Sequence, residues 1–75
     1  MTKEDVMNEV TRLRGAYGTT CTDPEFITDS YVRFIVQNEE GGYIQEYDLE
    51  CDLHRSKGLG PMGFWTEWLS IWDTF

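Results

Sequence analysis

The sequence predicts an α+β fold: an N-terminal helix, an antiparallel β-hairpin or small sheet, and a C-terminal aromatic helix. Three observations carry that expectation. Residues 2–14 place apolar side chains at helical spacing, residues 26–53 alternate about a turn-rich centre, and residues 64–75 return to a helical stripe of aromatic residues. A chain of 75 residues is read as a single domain. With 3 Trp, 4 Tyr and 4 Phe it has enough large side chains to build a core at that size.

The first helix has a start and a stop. Thr2 is a natural N-cap, and Asp5, three residues on, completes a short capping box. Val6, Val10, Leu13 and Tyr17 form one apolar stripe. Arg12 and Arg14 lie at the negative end of the helix dipole, and Gly15 is suited to a left-handed residue after the last turn. Gly15 to Glu25 is then a loop, with Asp23-Pro24 as a turn signal.

The hairpin reads as FITDSYVRFIVQ, a turn NEEGG and a second arm YIQEYDLECDL. In the first arm Val32, Phe34 and Val36 share one face, while Tyr31, Arg33, Ile35 and Gln37 share the other. Both faces are partly apolar, as in a central strand. A hairpin loop of three to five residues containing glycine is expected at Asn38 to Gly42. In the second arm Glu46, Asp48, Glu50 and Asp52 would stand in a row on one face, stepped by about 6.6 Å. That step resembles the spacing of phosphates along a nucleic-acid strand. Residues 54–63, HRSKGLGPMG, read as a Gly-rich, locally basic connection. Phe64, Trp65, Trp68, Leu69, Trp72 and Phe75 match the helical period, leaving Ile71 off the stripe. A strand reading also exists, with Phe64, Trp68 and Trp72 alternating with Thr66 and Ser70.

The charge is strongly acidic, 14 acidic against 6 basic side chains and a net charge of −8. From Gly15 to His54 the only basic side chain is Arg33, so the imbalance lies on the hairpin and the loop before it. Such a field repels nucleic acid and membrane surfaces and attracts basic partners. No apolar run is long enough to span a membrane, and MTKEDVMNEV lacks the apolar core of a signal peptide. A cytoplasmic, reducing location is expected, with Cys21 and Cys51 as free thiols and Cys51 buried.

Catalytic and cofactor motifs fail on their own requirements. Gly58-Leu59-Gly60-Pro61-Met62-Gly63 spells a dinucleotide-loop pattern but lacks the strand and acidic residue that must follow it. Cys51, His54 and Cys21 fall short of the four ligands of a structural zinc site. Alternate carboxylates on one extended strand are too far apart to converge on Ca²⁺. No nucleophile and base converge, so no catalytic residue, metal or cofactor is assigned and the chain is not read as an enzyme.

Binding is therefore the function to which the residues point. Asp29, Glu39, Glu40, Glu46, Asp48, Glu50 and Asp52 form the expected partner-binding patch, with Tyr31 and Trp65 as aromatic anchors. Asp and Glu are poor strand formers, and like charges in a row cost stability, which a bound partner would explain. The stretch DSYVRFIVQNEEGGYIQEY, with its preceding helix and acidic flanks, resembles hairpins of small phage-encoded inhibitors that imitate nucleic acid. Anti-CRISPR proteins and uracil-DNA glycosylase inhibitors are the groups concerned. The resemblance implies a basic nucleic-acid-binding protein or complex as partner, with no direct nucleic acid and no membrane. The alternative reading is an adaptor, an antitoxin-like partner or a homodimer that uses the Trp-rich segment, the acids serving solubility.

Overall fold

A computed structural model describes residues 1–71. Among the described residues one helix, α1 (Lys3–Arg14), packs on an antiparallel sheet of six strands. These are β1 (Thr20–Cys21), β2 (Glu25–Phe26), β3 (Tyr31–Asn38), β4 (Gly41–Asp48), β5 (Leu53–Gly58) and β6 (Leu69–Ser70). The order across the sheet is β1-β3-β4-β5-β6, with β2 also paired to β3. No helix among the described residues is long and apolar enough to cross a membrane.

The helix starts as its sequence dictates. The Thr2 hydroxyl accepts from the Asp5 amide at 3.1 Å, and the Asp5 carboxylate accepts from the Thr2 amide at 2.8 Å. The hydrogen bond from the Thr2 amide, with a smaller contribution from the Thr2 hydroxyl, holds the Asp5 carboxyl below its ordinary pKa. Val6 and Val10 are fully buried, and Leu13 packs beside them. Its end differs from expectation. Gly15 is right-handed (φ −74°), and the left-handed residue is Gly18 (φ 74°). That delayed reversal carries Tyr17 off the apolar stripe into full exposure. Arg14 ties the loop back, donating to the Cys21 carbonyl at 2.9 Å and to Asp23 at 2.7 Å.

The expected hairpin over 26–53 holds only at its centre. Its first arm begins at Tyr31, because the Thr28 hydroxyl accepts from the Ser30 and Tyr31 amides and turns the chain between β2 and β3. β3 is the interior strand that its two half-apolar faces predict, flanked by β1 and β2 on one side and β4 on the other. β3 and β4 pair from Tyr31↔Asp48 to Asn38↔Gly41, so the turn is the two-residue Glu39-Glu40 rather than a longer loop. Gly41 adopts φ 137°, a conformation that a side chain would strain.

The second arm stops at Asp48. The Asp48 carboxylate accepts from the Glu50 and Cys51 amides, each at 3.1 Å, and Asp52 takes a left-handed φ of 54°. An aspartate capping its own turn in this way competes with the strand. The chain reverses, and Leu53 to Gly58, expected as part of the flexible connection, becomes β5 in register with β4.

The expected C-terminal helix is also not seen in the described part. Trp65 bridges to Lys57, the Thr66 amide donates to the Ser56 carbonyl at 2.9 Å, and β6 pairs with Leu53 and His54. The exposed edge of β5 accounts for this, since its backbone groups need partners. Ile71, the residue off the helical stripe, is buried in the core. The rest of the expected helix, residues 72–75, lies outside the described residues. Val32, Phe34, Val36 and Tyr47 on the inner face of the sheet complete the core with Val6 and Val10.

Candidate protein-interaction surface

The outer face of the sheet is organised around one carboxylate. Arg33, Glu46 and Arg55 occupy facing positions on β3, β4 and β5. Glu46 has no solvent exposure at all. Arg33 donates to its Oε2 from Nε at 2.8 Å and from a terminal nitrogen at 2.6 Å. Arg55 Nε donates to Oε1 at 2.6 Å, and a terminal Arg55 nitrogen reaches the Tyr31 hydroxyl at 3.2 Å. Burial alone would raise the Glu46 pKa, but hydrogen bonds from Tyr31, Arg33 and Arg55 outweigh it and the net direction is down. The Arg55 guanidinium lies over the rings of Trp65 and Trp68, 4.4 and 4.6 Å from their centroids. Tyr31 meets Trp68 edge-to-face with centroids 6.0 Å apart.

The carboxylates expected in one row therefore have three different fates. Glu46 is enclosed by arginines from its own sheet. Asp48 shapes a turn, and Asp52 in that turn pairs with the Met1 amino group. Glu39, Glu40 and Glu50 are exposed, as is Asp29, which pairs loosely with Lys3 at 3.5 Å. Glu39 and Glu40 sit at one end of β4, while Asp48 and Glu50 lie at the other, about 23 Å away for seven residue steps. The evenly stepped ladder is thus not formed. Tyr31 and Trp65 are half-buried in the Arg55 cluster and do not stand free beside the acids.

The acids and bases are nonetheless unequally spent. Salt bridges to Asp29, Glu9, Asp23 and Glu46 engage five of the six basic side chains, Lys3, Arg12, Arg14, Arg33 and Arg55, and Lys57 is half-buried on β5. Glu39 and Glu40 also line an open cleft of about 300 Å³ with Tyr17, Gly18, Thr19 and Asn38. Beside that turn the loop after β5 exposes Leu59, Met62 and Phe64.

Both thiols are free. Cys21 is buried, but Cys51, expected in the core, is exposed because the turn beginning at Asp48 carries it off the strand face. Among the described residues no three His, Cys, Asp or Glu side chains are grouped to hold a metal ion. The glycine pattern of residues 58–63 leads into an extended segment, where a dinucleotide loop would open a helix.

Sequence reading missed the two arginines. With Asn38 facing Gly41 across the first turn, Arg33 must face Glu46, and the turn after Asp48 then places Arg55 on its other side. The charge alternation was present, but the second turn had to be recognised to use it. Comparison of the chain with family models, curated proteins and solved structures gives no match.

Proposed function

We propose that the protein is a non-enzymatic acidic ligand that binds a basic nucleic-acid-processing protein and obstructs its nucleic-acid site. The supporting observation is the asymmetry of charge: intramolecular salt bridges take up five of the six basic side chains, Lys3, Arg12, Arg14, Arg33 and Arg55, and the sixth, Lys57, is half-buried on β5, whereas Glu39, Glu40 and Glu50 face solvent on a chain of net charge −8. Lys and Arg of a partner groove would find unspent carboxylates at both ends of the β3–β4 hairpin. Replacement of phosphates is then local, by Glu39 and Glu40 at one end and Glu50 at the other, and no continuous strand of charges is involved. Long-range attraction of this kind speeds association and weakens with salt.

A competition assay tests the reading. Labelled duplex would be bound to a panel containing a uracil-DNA glycosylase, a CRISPR effector and several nucleases and displaced with this protein at about 50 mM salt, and direct association of this protein with each displaced member would be measured at about 50 and about 300 mM. The expected result is displacement from at least one panel member, weakened about tenfold by combined Glu39→Gln, Glu40→Gln and Glu50→Gln, with direct association about tenfold weaker at the higher salt. Displacement from none, or displacement indifferent to those changes, would overturn it. The adaptor reading retains one observation in its favour, the 78% exposure of Phe64. Trp65 and Trp68 give it less support, since both are engaged with Arg55.

A further inference from the structure

We infer that the partner docks on one end of the sheet, where the β3–β4 turn meets the loop of residues 59–64, and that it presents an apolar cleft rimmed by lysine and arginine. The inference rests on the proposed binding of a basic partner and adds where and how that partner is met.

Three apolar side chains stand out on one short loop: Leu59 is 40% exposed, and Met62 and Phe64 are each 78% exposed. Clustered apolar exposure of this kind marks interaction sites, and Phe and Met are enriched in them. The loop is held in shape by its backbone. The Leu59 amide donates to the Gly42 carbonyl at 3.0 Å, and the Gly63 amide donates to the Gly60 carbonyl at 3.0 Å. Gly63 lies so close to Gly58 that an added Cβ would meet the Gly58 carbonyl oxygen at 2.0 Å. A loop fixed before binding loses little freedom on docking.

Charge complementarity identifies the occupant. A Cβ at Gly42 would meet the Leu59 side chain at 3.0 Å, so the loop lies against β4 immediately after the Glu39-Glu40 turn. The fully exposed Tyr17 shares a cleft with Glu39 and Glu40. Leu59 against the strand that leaves the Glu39-Glu40 turn, with Met62 and Phe64 exposed on the same loop, fits a surface that is apolar where it meets the loop and cationic where it meets the two carboxylates. The other end of the sheet is less suited. There Asp29 pairs with Lys3, which also lies over Phe26 at 5.2 Å, and Asp48 is occupied by its own turn.

The test uses a synthetic amphipathic peptide with one leucine stripe and one lysine stripe, titrated into isotopically labelled protein and followed by amide chemical shifts. A matched peptide with glutamine in place of lysine serves as the second probe. The lysine peptide is expected to shift residues 39–42 and 59–64, with the glutamine peptide binding about tenfold more weakly. Met62→Ser with Phe64→Ser should weaken the lysine peptide about tenfold while leaving the spectrum outside the loop unchanged. Met62→Gln alone gives a milder check on the same side chain. Shifts centred on Asp29 and Glu50 would overturn the docking site yet leave the acidic-ligand reading intact. Equal binding of both peptides would overturn the cationic rim, and with it the basic partner. Absence of shifts from either peptide would overturn the docking site outright.

Discussion

Arg55 and Glu46 face one another across β5 and β4, and the guanidinium donates to the buried carboxylate at 2.6 Å while stacked against two tryptophans. Glu46 is thereby a structural residue. A carboxylate without solvent contact is tolerated when its oxygens are satisfied, and Arg33 and Arg55 supply three donors between them.

Glu46→Leu should therefore cost about 3 kcal/mol in urea unfolding, the low end for breaking a buried ion pair because the Arg33 side chain is 40% exposed. Adding Arg33→Met and Arg55→Met should recover most of that loss. The dependence on pH has a definite sign. The folded-state pKa of Glu46 is lowered, so its stabilisation is complete above the ordinary glutamate value of about 4.3 and is lost as pH falls through the lower folded value. The gap in stability between the native protein and Glu46→Gln should accordingly close in strong acid. A gap that widens on acidification would show that Glu46 is not held as a carboxylate.

Two glycines of the same loop should respond in opposite ways. Gly63→Ala places a methyl group 2.0 Å from a carbonyl oxygen and should destabilise the fold by more than about 1 kcal/mol. Gly60 has open space around it and no positive φ, so Gly60→Ala should be neutral or stabilise by up to about 1 kcal/mol through the unfolded chain. Thermal unfolding of the two variants decides the matter, and equal effects would contradict the close approach of Gly63 to Gly58.

The two thiols should be separable by a disulfide reagent. Cys51 is exposed, but the Asp48 carboxylate pushes its pKa up, whereas the Cys21 thiol is raised by burial. One thiol should react in the native protein and the second only on unfolding. Asp48→Asn should speed the first reaction at neutral pH, because it removes the neighbouring charge while keeping an oxygen to accept the turn amides. A rate that falls in this variant would assign the control to another group.

What the sequence discloses depends on how local each determinant is. Thr2 and Asp5 cap their helix within three residues, and Val32, Phe34 and Val36 mark the inner face of β3 by simple alternation, so both are legible. The end of β4 is not, because alternation of apolar and acidic residues continues from Asp48 through Asp52 while the backbone reverses. Three aspartates and glutamates in five residues, poor strand formers and good turn formers, are the signal that competes with that pattern. The tryptophans of residues 64–71 satisfy a helical period, yet pairing with β5 decides their conformation, and that is a long-range condition. The expected acidic row depended on the first of these two errors. Glu39 and Glu40 kept their expected exposure because they occupy a turn and depend on no distant partner.

Short segments lie along both flanks of the three long strands, β1 and β2 against β3 and residues 65–70 against β5. Main-chain donors and acceptors that could recruit a foreign extended peptide are thereby already occupied on much of each flank. Stacking of copies into a continuous fibre is disfavoured by the same covering, and any specific encounter has to be read through side chains.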